Sequence, residues 1–166
     1  MALIILAHPD FSQSVANKAV IEHLQNSGLN IEIRDLAALY PDYHIDTAAE
    51  QQALLRHQTI VFQYPLYWYN MPAILKQYFD SVLTYGFAYG TGGDKLKGKN
   101  FVPSLTIGAP EEDYRAVGAA HFRVYEFCKN LEQTAYYTQM NYIDPFYFHG
   151  TSPALYSREQ IRARAE

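Results

Sequence analysis

The sequence predicts an α/β fold: an open, doubly wound parallel sheet of five strands flanked by helices. Three observations predict it. Ala2-Leu3-Ile4-Ile5-Leu6-Ala7 is continuously apolar, as expected of a strand buried on both faces. A loop, an amphipathic helix and a second strand follow within the first 36 residues, and a strand–helix–strand unit forces parallel pairing. The alternation then runs to the end of the 166 residues with no repeat, low-complexity tract or linker, so residues 1–166 read as a single domain.

The elements follow in order. After the first strand, His8 to Ser14 form a loop that ends in a helix cap. The helix carries Ala16, Ala19, Val20 and Leu24 on one face and stops at Ser27-Gly28. Ile31, Ile33 and Leu36 mark the second strand, and Leu36 to Asp46 an irregular connection. Asp46 or Thr47 caps a helix through Leu55. Thr59 to Gln63 is the third strand, and Pro72 occupies the first position of a helix with Ile74, Leu75, Tyr78, Phe79, Val82 and Leu83 at helical spacing. Tyr85 to Gly98 is a glycine-rich excursion. Phe101 to Ile107 is the fourth strand, and a helix is expected from about Tyr114 to Leu131. Thr138 to Asn141 reads as the fifth strand, and Ser157 caps a last helix. The flavodoxin-like strand order 2-1-3-4-5 follows from this alternation. Its order reverses between the first and third strands, where ligands of such sheets bind. The loops His8 to Ser14, Tyr64 to Met71 and Gly108 to Tyr114 converge there.

Composition excludes several functions. Net charge is −4 with no basic tract, so the footprint of a nucleic-acid binder is absent. A single cysteine, Cys128, excludes a disulfide framework and fits a reducing cytoplasm. The histidines lack metal-ligand spacing, so no metal site is expected. No Gly-x-Ser-x-Gly elbow occurs, and Cys128 reads as inert core. The apolar start lacks a basic region and a cleavage pattern, and no run reaches membrane-spanning length. Only 18% of residues are charged while 15% are aromatic, which points to a subunit interface or a ligand site.

The first loop lacks the glycine fingerprints of dinucleotide and nucleoside triphosphate sites. His8, Ser12, Ser14 and Asn17 instead surround a helix N-terminus, a combination suited to phosphate. Taken alone, the loop is better explained by Ser14 as a plain cap and His8 as a solvated residue. The second loop holds Tyr64, Tyr67, Trp68 and Tyr69 between Pro65 and Pro72, where a core is not expected. Trp68 and Tyr69 can cover the face of a flat flavin ring while the backbone N–H groups of Leu66 to Tyr69 reach its rim; an interface patch is the competing reading. In the third loop Gly108 and Ala109 allow close backbone approach. Tyr114 and His121, seven residues apart, would share a helix face and relay a proton, or else be core and solvated residues respectively.

These residues carry a family resemblance. Ala7-His8-Pro9, Ser14, Asn17, Tyr64-Pro65-Leu66-Tyr67-Trp68-Tyr69, Met71 to Lys76, Phe87-Ala88-Tyr89 and Thr106-x-Gly108 with Tyr114 resemble the DT-diaphorase-type NAD(P)H:quinone oxidoreductases. Leu39-Tyr40-Pro41-Asp42, Ile45-Asp46, Ala49-Glu50-Gln51 and Tyr89-Gly90-x-Gly92-Gly93 are closer to the short bacterial branch, the ancillary flavoproteins of glutathione-gated potassium-efflux systems. The resemblance implies a homodimer with a non-covalent flavin, FMN in most short members and FAD in long ones, and NAD(P)H as hydride donor. It implies that His8, Ser14 and Asn17 hold the phosphate, that Pro65, Leu66, Tyr67, Trp68 and Tyr69 line the isoalloxazine, and that Thr106, Ile107, Gly108 and Ala109 meet its pyrimidine edge. Tyr114 and, approximately, His121 match catalytic residues of the quinone pocket, and Tyr89 an aromatic that reaches the partner subunit's site. This chain has Thr106-Ile107-Gly108-Ala109 where many members have Thr-Thr-Gly-Gly. The expected activity is two-electron transfer from NAD(P)H to a quinone or similar acceptor, by a cytoplasmic protein. The alternative is a regulatory subunit that activates a potassium/proton antiporter and so sits peripherally at the inner membrane. One-electron transfer, as in true flavodoxins, is a weaker third reading.

Overall fold

The computed structural model describes residues 1–165. Its strands β1 (Ala2–Leu6), β2 (Ile31–Asp35), β3 (Thr59–Pro65), β4 (Asn100–Thr106) and β5 (Asn141–Tyr142) form one parallel sheet in the order β2-β1-β3-β4-β5. A further segment, β6 (Phe146–Phe148), also pairs parallel with β4. The expected strand order is found.

Side-chain alternation along β1 shows why the sheet needs helices on both faces. Leu3 and Ile5 pack with Leu54, Leu75 and Tyr78 on one side, the side of α3 (Thr47–Arg56) and α4 (Ala73–Val82). Ile4 and Leu6 pack with Ile21 of α1 (Ala16–Asn26) on the other. The short helices α5 (Val124–Phe127) and α6 (Lys129–Tyr137) join the first layer through Val124, Cys128, Leu131 and Ala135. The last helix, α7 (Arg158–Ala163), lies beside α1: Ile161 is fully buried with Val15, Val20 and Phe148. Ser157 caps it as expected, within a capping box with Gln160.

Four details differ from the expected elements. Residues 36–39 are not irregular but a helical turn, α2 (Leu36–Leu39), because the Asp35 carboxylate accepts from the Ala37 and Ala38 N–H groups. Pro72 caps α4 from outside, with ψ of 151°, rather than occupying its first position. The fifth strand starts later than expected, since Thr138 and Gln139 close α6: Gln139 has φ of 60° and the Met140 N–H returns to Ala135 O. It is also broken. Asn141 and Ile143 N–H groups donate to Lys99 O and Phe101 O, so the odd positions of β4 face this edge. The next odd position is Pro103, which has no N–H, and opposite it the chain bulges through Ile143, Asp144 and Pro145 before pairing resumes at Ser104. Finally, the helix expected from Tyr114 does not begin until Val124. A single 3-10 turn (Glu111–Asp113) leads into an irregular loop.

Candidate flavin site

The first, second and third loops leave the carboxyl ends of β1, β3 and β4 beside the switch point. Between them lies a cavity of about 340 Å³ lined by His8, Ser14, Asn17, Leu66, Tyr67 and Thr106. Pro65 and Gly108 line it as well.

The floor is a buried polar network. Asn17, 1% exposed, donates from Nδ2 to Ser14 Oγ at 3.0 Å and to Thr106 Oγ1 at 2.9 Å. Its Oδ1 accepts from Gln63 Nε2 at 2.8 Å, and Gln63 Oε1 accepts from Ser104 Oγ at 2.6 Å. Both Asn17 N–H bonds are therefore engaged inside the protein. Ser14 Oγ also accepts from the Asn17 backbone N–H at 3.2 Å. With its acceptor positions filled by two N–H donors, the Ser14 hydroxyl proton is left to donate elsewhere. The Val15 and Ala16 N–H groups at the start of α1 have no protein acceptor among the described residues. Ser14 is thus a cap and a free donor at once, and Asn17 is its positioning residue.

His8 is 8% exposed rather than solvated, and its Nδ1 accepts from the Asp10 N–H at 3.1 Å. That leaves Nε2 as the protonated nitrogen of a neutral ring. Burial holds the His8 pKa below its usual value, against the opposing pull of the Asp10 and Asp35 carboxylates. Ser12 lies on the exposed side of the loop, bonded to Asp10.

The second loop is a tight two-residue turn. Tyr67 and Asn70 exchange reciprocal N–H to O bonds of 3.0 Å, and the two residues between them, Trp68 and Tyr69, both have positive φ (49° and 62°). Such a turn favours Asn-Gly, and two bulky aromatics in it store strain. Their N–H groups are unengaged, whereas the Leu66 N–H is bonded to Thr106 O and the Tyr67 N–H to Asn70 O. The expectation that all N–H groups from Leu66 to Tyr69 are available thus narrows to Trp68 and Tyr69. Trp68 is 93% exposed and Tyr69 half exposed, both on the rim rather than in the cavity wall. Tyr64 is a core residue of β3, packed under the sheet, and not part of the aromatic wall.

In the third loop Thr106 and Gly108 line the cavity. Ile107 is a core side chain whose N–H donates to Phe148 O, so nothing of its side chain or N–H is left to meet a ligand edge. The Gly108 and Ala109 N–H groups are unengaged. Tyr114 is half-buried, edge-on to Phe127 (6.3 Å) and to His149 (5.6 Å), and Phe127 in turn contacts Tyr69 at 5.2 Å. Burial, with Tyr69 and Asp113 nearby, raises the Tyr114 pKa, so its hydroxyl is a donor at neutral pH. The expected relay with His121 is not formed: no helix joins the two, and His121 is an exposed turn residue with φ of 60°. The histidine beside Tyr114 is His149, whose Nδ1 is buried without a partner and whose pKa burial lowers. It was missed because it is distant in sequence from Tyr114. Cys128 is buried, and burial pushes its thiol up to about 11.

The cavity has further walls that the sequence did not signal: Asp10, Gln13 and the segment Thr151 to Pro153. No cluster of three or more metal-ligating side chains occurs among the described residues.

Comparison with known proteins bears on the fold and the family. The chain is 42% identical over 164 residues to the uncharacterized NAD(P)H oxidoreductase YrkL of Bacillus subtilis, covering 99% of this chain and 92% of that protein. It is 44% identical over 151 residues to the glutathione-regulated potassium-efflux system ancillary protein KefF of Salmonella typhi, covering 91% and 84%. The crystal structure of general stress protein 14 from Treponema denticola in complex with FMN superposes with a TM-score of 0.90 at 41% identity, over 99% of this chain and 92% of that one. With a family model of flavodoxin-like fold (Flavodoxin_2) matching residues 1–166, the chain belongs to that flavodoxin-like family.

Proposed function

We propose that this protein is a flavin-dependent NAD(P)H oxidoreductase that holds FMN without a covalent bond and passes two electrons to a quinone or similar small acceptor. One observation carries the reading: at the switch point, free donors of a helix N-terminus share one cavity with Leu66 and Tyr67, at whose rim the strained aromatic turn of Trp68 and Tyr69 stands. The donor set suits FMN. The Ser14 hydroxyl, the Val15 and Ala16 N–H groups and His8 Nε2 are neutral donors for a phosphate. Trp68 and Tyr69 offer rings and N–H groups to the isoalloxazine, and Gly108 and Ala109 offer N–H groups to its pyrimidine edge. When bound, the flavin supplies the two-electron chemistry between nicotinamide and acceptor. The protein's part is to orient the partners and exclude water. The unengaged N–H groups of the third loop stabilise negative charge at the ring edge. Tyr114 donates a hydrogen bond to the acceptor oxygen, with His149 in the position first assigned to His121. The test is an anaerobic absorbance titration of the purified protein. Flavin bands that bleach with NADPH and return with a quinone are expected; a colourless protein that takes up no added FMN would overturn the reading.

The likeness to the efflux ancillary protein favours a second, compatible role: docking on a potassium/proton antiporter at the cytoplasmic face of the inner membrane. None of the helices of the described residues is long and apolar enough to cross a membrane, so attachment would be through such a partner. Co-purification with the transporter, and transporter activity with and without this chain, test it. A homodimer is proposed on the exposed aromatics Trp68, Tyr85 and Tyr137, with Tyr89 packed between the last two at 5.9 and 5.5 Å. A monomeric mass in light scattering, with and without FMN, would exclude it.

A further inference from the structure

Thr151, Ser152 and Pro153 line the same cavity as Ser14, Val15 and Ala16. They form a strap that runs from the end of β6 to α7. Its two roots straddle the start of α1: Phe148 before it and Ile161 after it pack on Val15 and Ala16. The strap is tied to the third loop by three backbone bonds, Gly150 N–H to Ala109 O, Thr151 N–H to Ile107 O and Ser152 N–H to Gly108 O, at 3.0–3.1 Å. From behind, Arg164 clamps it. The guanidinium donates to His149 O at 3.1 Å and to Gly150 O, and stacks on Tyr156 at 4.6 Å and Phe148 at 5.8 Å. Gly150 has φ of 66°, the left-handed region that favours glycine, and a Cβ there would sit 3.0 Å from both the Arg164 and Tyr156 side chains, so a larger residue would push on the clamp.

The cavity wall contains no lysine or arginine, and Asp10 adds a carboxylate. A phosphate in this cavity is therefore held by neutral donors alone, and each counts. The Ser152 hydroxyl accepts from the Ala154 N–H, a turn bond that fixes it within the strap and, as at Ser14, leaves its proton free. The Thr151 hydroxyl has no hydrogen-bond partner among the described residues. Resting on the flavin reading above, we propose that Thr151 is a further flavin-binding residue, its hydroxyl donating to the phosphate across the cavity from Ser14. Arg164 is its positioning residue, holding the strap against the third loop.

The experiment measures dissociation constants of FMN and of riboflavin, which lacks the phosphate, by fluorescence titration of the apoprotein. Thr151→Val removes the hydroxyl at constant shape and weakens FMN roughly tenfold, as loss of one hydrogen bond to a charged group does, while riboflavin binding is unchanged. Thr151→Ser restores FMN binding. Arg164→Met weakens FMN by a similar factor, and the double variant Thr151→Val/Arg164→Met is no weaker than Thr151→Val alone. Melting curves of the apoproteins separate these effects from misfolding, and Thr151→Ala serves as the second variant at that site. Equal loss of FMN and riboflavin, or no loss of FMN in Thr151→Val and Thr151→Ala, overturns the assignment while leaving the flavin reading intact. A wild-type protein that binds neither flavin sinks the flavin reading, and the assignment with it.

Discussion

Asn17 shows how one side chain organises a site it barely touches. Its amide bonds α1 to β3 through Gln63, to β4 through Thr106 and to the first loop through Ser14. Asn17→Ala leaves two buried polar groups, Gln63 Nε2 and Thr106 Oγ1, without a partner and removes one of the two bonds to Ser14 Oγ, which costs about 2–4 kcal/mol in a urea melt and weakens FMN as Ser14 loses its fixed rotamer. A melt and a flavin affinity both unchanged would show that the network is incidental. His8 makes a pH prediction. Burial lowers its pKa in the folded chain, as it does for His149, so between the folded value and the ordinary 6.5 the unfolded chain binds more protons. Stability of the apoprotein therefore falls as pH drops below about 6.5 and is level above it. His8→Gln, neutral at every pH, flattens part of that fall. A variant whose melting temperature follows the wild-type pH curve throughout would show that His8 is not the buried neutral group. His8, Ser14 and Asn17 were legible as a group because they crowd one helix start. The division of labour among them was not, since it depends on which hydrogen bonds are already occupied.

At the scale of elements, regular strands and capped helices were legible because burial and caps leave local patterns. The alternating environments of β1 and the Asp46 cap, which accepts from the Ala49 N–H, are examples. The stretch from Tyr114 to Arg123 does not form the expected helix because, although Tyr114 and His121 stand at helical spacing, only Tyr114 packs on the core: His121 is exposed and Val117 between them is 96% exposed. The loop is closed by the Ala120 N–H on Asp113 O, and Gly118 passes so close that a Cβ would lie 2.3 Å from that same oxygen. No local pattern reports such a closure. The second-loop turn was legible as an aromatic cluster, but its left-handed geometry was not, because Trp68 and Tyr69 are poor residues for it. The mismatch predicts opposite signs for two properties. Tyr69→Gly relieves strain and stabilises the apoprotein by about 1 kcal/mol, while weakening FMN retention through the lost ring. Trp68→Ala keeps a left-handed non-glycine residue, so it lowers flavin occupancy without the gain in stability. If Tyr69→Gly binds FMN as the wild type does, the turn belongs to an interface and not to the flavin.

For the whole molecule, the order β2-β1-β3-β4-β5 sets the three loops on three different strands, so they are linked through the sheet, the Ser104–Gln63–Asn17 network and a few aromatic contacts such as His8 with Tyr67 at 6.1 Å. A ligand that contacts all three ties them together a second time. Because it binds the folded chain alone, FMN at about 100 times its dissociation constant adds about 2.7 kcal/mol, which for a domain of this size raises the melting temperature by about 5–10 °C. Riboflavin at the same multiple of its own constant gives the same gain, since linkage depends on saturation and not on contacts. What differs is where protection appears. FMN should slow amide exchange together at Val15 and Ala16, at Trp68 and Tyr69, and at Gly108 and Ala109, the N–H groups that have no acceptor in the protein. Riboflavin should slow the last two pairs and leave the first unchanged. Protection confined to the first pair with FMN would mean that the phosphate is held while the ring lies elsewhere, and the aromatic turn would then have to be explained by a protein partner.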